Sequence, residues 1–355
     1  MFTRMESAGT TDLHFCLDPA SGLRAIIAIH STHLGPAIGG CRFLPYANEL
    51  DAVEDALRLA KGMSYKAALA GLPHGGGKSV IIYPEHEFDR HKLMKAFGKF
   101  IKALNGRYIT AMDSGTLTTD MDAIASSTRW VSCTSQSGDP SPYTAIGVIE
   151  GIKAAVQYRY GKQDLEGLRV AIQGLGHVGM AVAAHLAMEG VHLTVTDINT
   201  SLIQTAVKEY SAHPVTPDTI YDVDADIFCP CGLGAILNDA TLSRLKAPII
   251  AGSANNQLAE ERHGIALAER GILYVPDYVI NSGGLIYVAL THANEEASVI
   301  RHKVMQINPT LQRIFQKAED ANMAPFLLAN LMAEQIFTSS KDQPNLGRDT
   351  YENGL

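Results

Sequence analysis

Apolar residues concentrate in two short stretches near the N-terminus, LHFCL and LRAIIAIH within residues 11–31, and this pattern predicts two strands. The period then lengthens. Val53, Ala56, Leu57 and Ala60 follow i, i+3, i+4, i+7, which predicts an amphipathic helix running to about Ala70. Asn48, with Asp51 three residues on, can cap its start. Gly71-Leu72-Pro73-His74-Gly75-Gly76-Gly77 reads as a loop, followed by a strand over 78–83. A helix over 88–104 and a strand RYITA ending at Ala111 complete this half.

The Ser/Pro/Gly cluster at 135–142 reads as a hinge. Beyond it strands and helices alternate: helix 144–160, strand 168–173, helix 177–189, strand 192–197 and helix 199–210, then DIFCP at 226–230, APIIAG and GILYV. Such alternation predicts an α/β fold with a parallel sheet and right-handed crossovers. Residues 296–340 read as helices interrupted near Pro309.

Composition narrows the class. The chain has 355 residues, 46% hydrophobic, enough for two domains with substantial cores. A net charge of −8 argues against nucleic acid or an anionic membrane as partner. No apolar run is long enough to span a bilayer, and MFTRMESAGTTDLHF lacks the apolar core of a signal peptide. The cysteines are Cys16, Cys41, Cys133, Cys229 and Cys231, an odd number without the spacing of a disulfide framework. Reduced thiols in a cytoplasmic protein are expected. Cys229-Pro230-Cys231 has no matching Cys/His pair nearby, so no metal is expected.

Gly174-Leu175-Gly176-His177-Val178-Gly179 is a G-x-G-x-x-G run between an apolar strand and a helix-forming segment. Gly174 permits the tight turn, Gly176 lets the backbone approach a pyrophosphate, and Gly179 lets helix and strand pack closely. The free N–H groups of the helix start, at His177 and Val178, face the anion. Asp197 ends the next strand and is placed to accept hydrogen bonds from the adenosine ribose. A carboxylate there repels a 2′-phosphate, so NAD is expected rather than NADP.

A second constellation lies upstream. Lys66 and Lys78 are twelve residues apart, with the triple glycine directly before Lys78. Glycines leave no side chains between the backbone and whatever Lys78 faces.

These segments carry a resemblance. GPAIGGCR (35–42), GMSYKAALAGLPHGGGKSVI (62–81), TAMDSGT (110–116), PYTAIGV (142–148), GLGHVG (174–179), AGSANNQL (251–258) and PDYVINSGG (276–284) look like the Glu/Leu/Phe/Val dehydrogenase family, in order along nearly the whole chain. The length suits the short leucine and phenylalanine branch. The resemblance implies that Lys66 binds the substrate carboxylate, Lys78 is the catalytic lysine and Asp113 shuttles a proton. It implies Thr144, Asn255 and Asn281 around the nicotinamide. It implies an apolar side-chain pocket of Ile38, Met63, Ala111, Leu285 and Val288, with Gly40 also at the substrate.

The implied organisation is a substrate-binding, catalytic and oligomerisation domain over 1–137 and an NAD-binding, doubly wound Rossmann domain over 138–300, with a cleft between them. Helices over 301–355 are expected to pack back toward the N-terminal domain and to end in a frayed tail. A homo-oligomer, from dimer to octamer, is implied. The implied reaction is reversible oxidative deamination of an apolar L-amino acid, branched-chain such as leucine or valine, to the 2-oxo acid, NADH and ammonium. Family members commonly carry threonine where this chain has Cys41, and EDVGT where it has Met112 and Ser114 around Asp113. Three alternatives stand beside this reading: an aromatic substrate (phenylalanine or tryptophan), a 2-hydroxyacid dehydrogenase using Arg42 and His74, and a non-catalytic nucleotide-binding regulator.

Overall fold

The structure is a computed structural model that describes residues 1–232 and 234–339. The chain groups into two compact units. The first comprises Met1–Asp139, Val288–Glu295 and the described residues from 332 onward; the second comprises Pro140–Tyr287 and Glu296–Leu331.

The first unit opens with α1 (Phe2–Ala8), β1 (Asp12–Asp18), β2 (Leu23–Ser31), β3 (Ala37–Leu44) and α2 (Glu49–Leu69). β4 (Gly75–Ile82), α3 (Arg90–Ala103), β5 (Tyr108–Met112) and α4 (Thr118–Ala125) follow. Five strands form one mixed sheet in the order β1-β2-β4-β3-β5. β1, β2 and β4 pair antiparallel, and β3 runs parallel to both β4 and β5. Asn48 caps α2 as expected, its side chain accepting the Asp51 N–H at 3.0 Å. The apolar stripe Ala52, Val53, Ala56, Leu57 and Ala60 packs on Ile26, Ala28 and Val80 of the sheet.

Two expectations change here. The segment read as a loop over 71–77 is strand from Gly75 on, and GPAIGGCR supplies an unexpected interior strand, between β4 and β5. Glycine is a poor strand former in isolation, but these positions have no room for anything else. A Cβ on Gly39 would stand 1.8 Å from the Gly77 carbonyl oxygen, and one on Gly75 1.8 Å from that of Ser31. The glycines allow close approach of backbones, which outweighs local propensity.

The second unit is built of α5 (Ser141–Tyr160), β6 (Arg169–Gln173), α6 (His177–Met188), β7 (His192–Thr196), α7 (Thr200–Tyr210), β8 (His213–Pro214) and β9 (Ile227–Pro230). There follow α8 (Asp239–Leu242), β10 (Ile249–Ile250), α9 (Glu261–Glu269), β11 (Leu273–Tyr274) and α10 (Asp277–Ile280). The described residues end with α11 (Gly283–His292), α12 (Ala297–Met305), α13 (Ile307–Asp320) and α14 (Pro325–Ser339). The sheet of the second unit is entirely parallel, in the order β11-β10-β9-β6-β7-β8. β6 therefore lies where the strand order reverses, the point at which such sheets bind ligands.

The division differs from the expected boundaries, because residues 296–331 group with the parallel-sheet unit. The buried stripe of α13 explains why. Leu311 approaches the site of a Gly151 Cβ to 3.1 Å, the Phe315 ring lies 5.2 Å from Tyr158, and Gln312 Nε2 donates to the Ala154 carbonyl at 3.2 Å. Residues 340–355, where the frayed tail was expected to end the chain, lie outside the described residues. Among the described residues no helix is long and apolar enough to cross a membrane.

Candidate active site

Strand alternation sets the chemistry of the first unit. Side chains two apart share a face, so Ile38, Gly40 and Arg42 of β3, Gly76, Lys78 and Val80 of β4, and Ile109, Ala111 and Asp113 at β5 fall into three rows. Register aligns them: Gly40 pairs with Ala111, and Ile38 with Gly76 and Ile109. α2 covers this face. A Cβ on Gly76 would meet the Ser64 backbone nitrogen at 2.1 Å, and Arg42 reaches Asp55 on the same helix. Lys66 is buried in the last turn of α2.

Lys78 Nζ forms an ion pair with Asp113 Oδ2. Lys78 is buried, with its side chain 6% exposed, and Asp113 is 19% exposed. Burial is the main force pulling the Lys78 ammonium down, to about 7, and the positive charges of Arg42 and Lys66 add to it. Asp55 opposes this shift. Contact with the Asp113 carboxylate also favours the ammonium, so the pair holds a proton that is easily moved.

The turn after β5 fixes Asp113. Its Oδ1 accepts the Ser114 N–H at 2.6 Å, and its N–H donates to Thr116 Oγ1 at 2.9 Å. Thr116 Oγ1 also lies 3.1 Å from the Cys41 carbonyl, and Phe43 N–H donates to the Ser114 carbonyl at 3.0 Å, so the turn is tied to β3. Gly115 makes this fit possible, with φ of 82° and the Phe43 carbonyl oxygen 2.0 Å from where its Cβ would be. Ser114 acts there through its backbone. Cys41 is fully buried, and burial pushes its thiol up to about 12, so it remains a neutral thiol.

In the second unit, the loop after β6 has the conformation a dinucleotide requires. Gly174 has φ of 97°, and a Cβ on it would stand 2.6 Å from the Gly232 nitrogen. A Cβ on Gly179 would stand 2.0 Å from the Gly174 carbonyl oxygen. Gly176, the N-cap of α6, opens onto free space, which is where a pyrophosphate needs room. His177 and Val178 form the first turn of α6. Asp197 follows β7, and its carboxylate oxygens accept the N–H groups of Leu175 at 2.6 Å and Asn199 at 2.7 Å. The residues fit a nucleotide cofactor.

Asn281 Nδ2 donates to the Ser253 carbonyl at 3.0 Å and to Asn255 Oδ1 at 2.9 Å, joining two of the expected nicotinamide residues. Thr144 lies on α5, its Oγ1 2.5 Å from where a Gly284 Cβ would stand. Of the expected side-chain pocket, Ile38, Ala111 and Val288 are buried and Met63 is half-buried in the first unit. Leu285 is buried in the second unit. Among the described residues no group of three metal-ligating side chains occurs.

The sequence pattern did not single out the partners of Arg42. Its Nη1 donates to both Asp55 oxygens, at 3.1 and 2.8 Å, and the Tyr46 hydroxyl donates to Asp55 Oδ2 at 2.8 Å. No spacing signalled this pairing, because the strand that carries Arg42 was not expected from the sequence. An Arg42 held this way is engaged with Asp55 and poorly placed to clamp a hydroxyacid carboxylate. His74 is buried, and burial and His292 lower it to about 4.

Comparison with known proteins places the chain in a family. The model of the Glu/Leu/Phe/Val dehydrogenase dimerisation domain matches residues 10–130, and that of Glutamate/Leucine/Phenylalanine/Valine dehydrogenase matches 198–326. The chain is 50% identical to leucine dehydrogenase of Thermoactinomyces intermedius over 341 residues, 94% of this chain and 93% of that one. It is 43% identical to valine dehydrogenase of Streptomyces albus over 343 residues, 95% and 94% of the two chains. The crystal structure of L-tryptophan dehydrogenase from Nostoc punctiforme superposes with a TM-score of 0.83 at 42% identity, covering 97% of this chain and all of that one. Matched in both halves and along nearly its whole length, the chain belongs to the Glu/Leu/Phe/Val dehydrogenase family of amino-acid dehydrogenases.

Proposed function

We propose that this enzyme catalyses reversible, NAD-dependent oxidative deamination of an apolar L-amino acid, with branched-chain substrates favoured. The observation that carries the reading is the pair of buried Lys78 with half-buried Asp113 beside Lys66, with Lys78 held near 7. Gly174, Gly176, Gly179 and Asp197 would hold NAD, with Thr144, Asn255 and Asn281 toward the nicotinamide, and when bound it would supply the acceptor for the hydride from the substrate Cα.

Lys66 holds the substrate carboxylate. Lys78, as the neutral amine, takes a proton from the water that adds to the imine carbon. A free lysine titrates near ~10.4 and is mostly charged at neutral pH, so the lowered value is what makes it a base there. Asp113 receives the proton and passes it to the departing nitrogen, which leaves as ammonia while the free Lys78 amine takes the hydroxyl proton and the carbonyl forms. In reverse, the protonated pair supplies the proton that lets ammonia displace the carbonyl oxygen as water.

The residues assigned to the side-chain pocket are Ile38, Met63, Ala111, Leu285 and Val288, with no cation to pair with a second carboxylate. The leucine and valine dehydrogenases among the relatives favour an aliphatic substrate. The tryptophan dehydrogenase keeps an aromatic one as the second reading. One methylene changes discrimination by only ~1–3 kcal/mol, so close competitors are turned over too. Asp197 favours NAD over NADP through its charge. The match to a dimerisation domain supports a homo-oligomer, and five free cysteines suit the cytoplasm.

The test is a panel of amino and hydroxy acids incubated with the pure protein and NAD, following NADH absorbance. Turnover of leucine, valine or isoleucine above all others supports the reading. Preference for phenylalanine or tryptophan selects the second reading. Turnover of hydroxy acids alone, or of nothing, contradicts both.

A further inference from the structure

We propose that Arg42 is a positioning residue of the reaction: anchored by Asp55 and Tyr46, its guanidinium aims the Asp113 carboxylate at Lys78 and sets a positive charge beside both. The inference rests on the assignment of Lys78 and Asp113 made above.

The geometry is a chain of charges on one face of the sheet. Tyr46 donates to Asp55, and Asp55 accepts both contacts from Arg42 Nη1. Arg42 Nε then lies 3.7 Å from Asp113 Oδ1, and Asp113 Oδ2 is paired with Lys78. Asp113 thus has one oxygen for the base and the other between the Ser114 N–H and the guanidinium. The Arg42 and Asp55 side chains are only 19% and 14% exposed, so solvent screens this array weakly. Arg42 Nε is buried and makes no hydrogen bond among the described residues, so its charge is directed at Asp113 rather than spent on another acceptor.

A surface arginine would lie mobile and hydrated. Asp55 and Tyr46 remove that freedom, and Arg58, 3.6 Å from Asp55 on the same helix, adds a second cation to the anchor. The charged and titratable groups around Lys78 are Arg42 and Cys41 from β3, Lys66 and Asp55 from α2, and Asp113 after β5; β2 presents Ala28 opposite it. Among the neighbouring charges Arg42 weighs most in lowering Lys78, ahead of Lys66. Arg42 acts on both members of the pair: it attracts the Asp113 carboxylate at 3.7 Å and favours the free amine at Lys78. It needs no contact with substrate to do so.

The experiment is the pH dependence of deamination kcat in the full enzyme carrying Arg42→Gln, compared with wild type and Arg42→Lys. Loss of the cation should move the activity midpoint alkaline by about one pH unit. kcat should fall at neutral pH and recover at high pH, with NAD binding unchanged. Arg42→Lys keeps the charge and should hold the midpoint near wild type while lowering kcat, because it cannot make the same contacts with Asp55. Arg42→Gln leaves Asp55 buried without its partner. If that variant does not fold, the double variant Arg42→Gln/Asp55→Asn removes both charges and should show a smaller alkaline shift, since Asp55 opposes Arg42 at Lys78. A uniform loss of activity at every pH with an unmoved midpoint, in whichever variant folds, overturns the proposal and leaves Arg42 a structural residue. A wild-type profile with no neutral midpoint overturns instead the assignment of Lys78 on which it rests.

Discussion

Gly40 and Asp113 pack so closely that a Cβ on Gly40 would stand 2.7 Å from the Asp113 Cβ and 2.8 Å from its Oδ2. The carboxylate oxygen it would strike is the one that meets Lys78. Gly40→Ala should therefore push Asp113 off its partner while leaving the sheet paired. Turnover should fall at least tenfold, since a displacement of about 1 Å can cost a hundredfold. NAD affinity, read by NADH fluorescence, should hold. Normal turnover in Gly40→Ala would show that the close approach does not position Asp113.

Gly76 tests the packing under the site rather than the site itself. A methyl there would meet the Ser64 nitrogen at 2.1 Å and the Ala60 carbonyl oxygen at 2.6 Å, both helix backbone that cannot swing aside. α2 would have to lift from the sheet. Gly76→Ala should destabilise by about 3 kcal/mol or more, at the upper end of overpacking effects. A thermal midpoint within a degree or so of wild type would refute the tight helix–sheet contact.

Much of the framework was legible in the sequence. The Asn48 cap, the stripe on α2 and the strand–glycine–helix unit at 169–188 are local signals, set by hydrogen bonds or packing within a few residues. β3 and the start of β4 were not legible, because Gly39, Gly40 and Gly75–Gly77 are demanded by neighbours distant in sequence. α4 was missed for a different reason: its eight residues bury only Asp120, Met121, Ala123 and Ile124, too few to show a period. The helical break expected near Pro309 falls at Gln306, and Pro309 sits in the first turn of α13, where no N–H is required. Lys66, Lys78 and Asp113 came from motif resemblance. The Tyr46–Asp55–Arg42 array came only from the folded geometry, since no spacing reveals a strand reaching across to a helix.

Lys66 carries a prediction that separates binding from chemistry. A buried lysine on the substrate carboxylate is a charge-assisted contact worth about 2 kcal/mol, roughly thirtyfold in affinity. Lys66→Ala should raise KM for the amino acid by that order, with NAD binding nearly intact. Removing this positive charge should also move the pH midpoint alkaline, because Lys66 helps to lower Lys78. An unchanged KM would make Lys66 a structural residue.

Asp197 is tested by the cofactor pair. Its carboxylate already accepts the Leu175 and Asn199 N–H groups, so it shapes the glycine loop in addition to its proposed contact with the ribose. Asp197→Ala should weaken NAD and narrow the NAD/NADP ratio of kcat/KM by at least about tenfold, since a like charge against a 2′-phosphate costs several kcal/mol. Equal efficiency with both cofactors in the wild-type enzyme would contradict this assignment.

The most direct test of the account is the pH–rate profile of amino-acid deamination, measured for wild type and Lys78→Ala. Burial and two nearby cations hold Lys78 at about 7. In the proposed mechanism the base is the neutral amine, so activity should be low in acid, rise through pH 7 and level off above it. The ammonium-consuming direction needs the protonated pair and should peak at lower pH. Lys78→Ala should lose ~10²–10⁴-fold in turnover and lose the rise through neutrality, while still folding and binding NAD. Deamination that peaks in acid, or a Lys78→Ala enzyme with near-normal turnover and the same profile, would contradict the claim that Lys78 is the base.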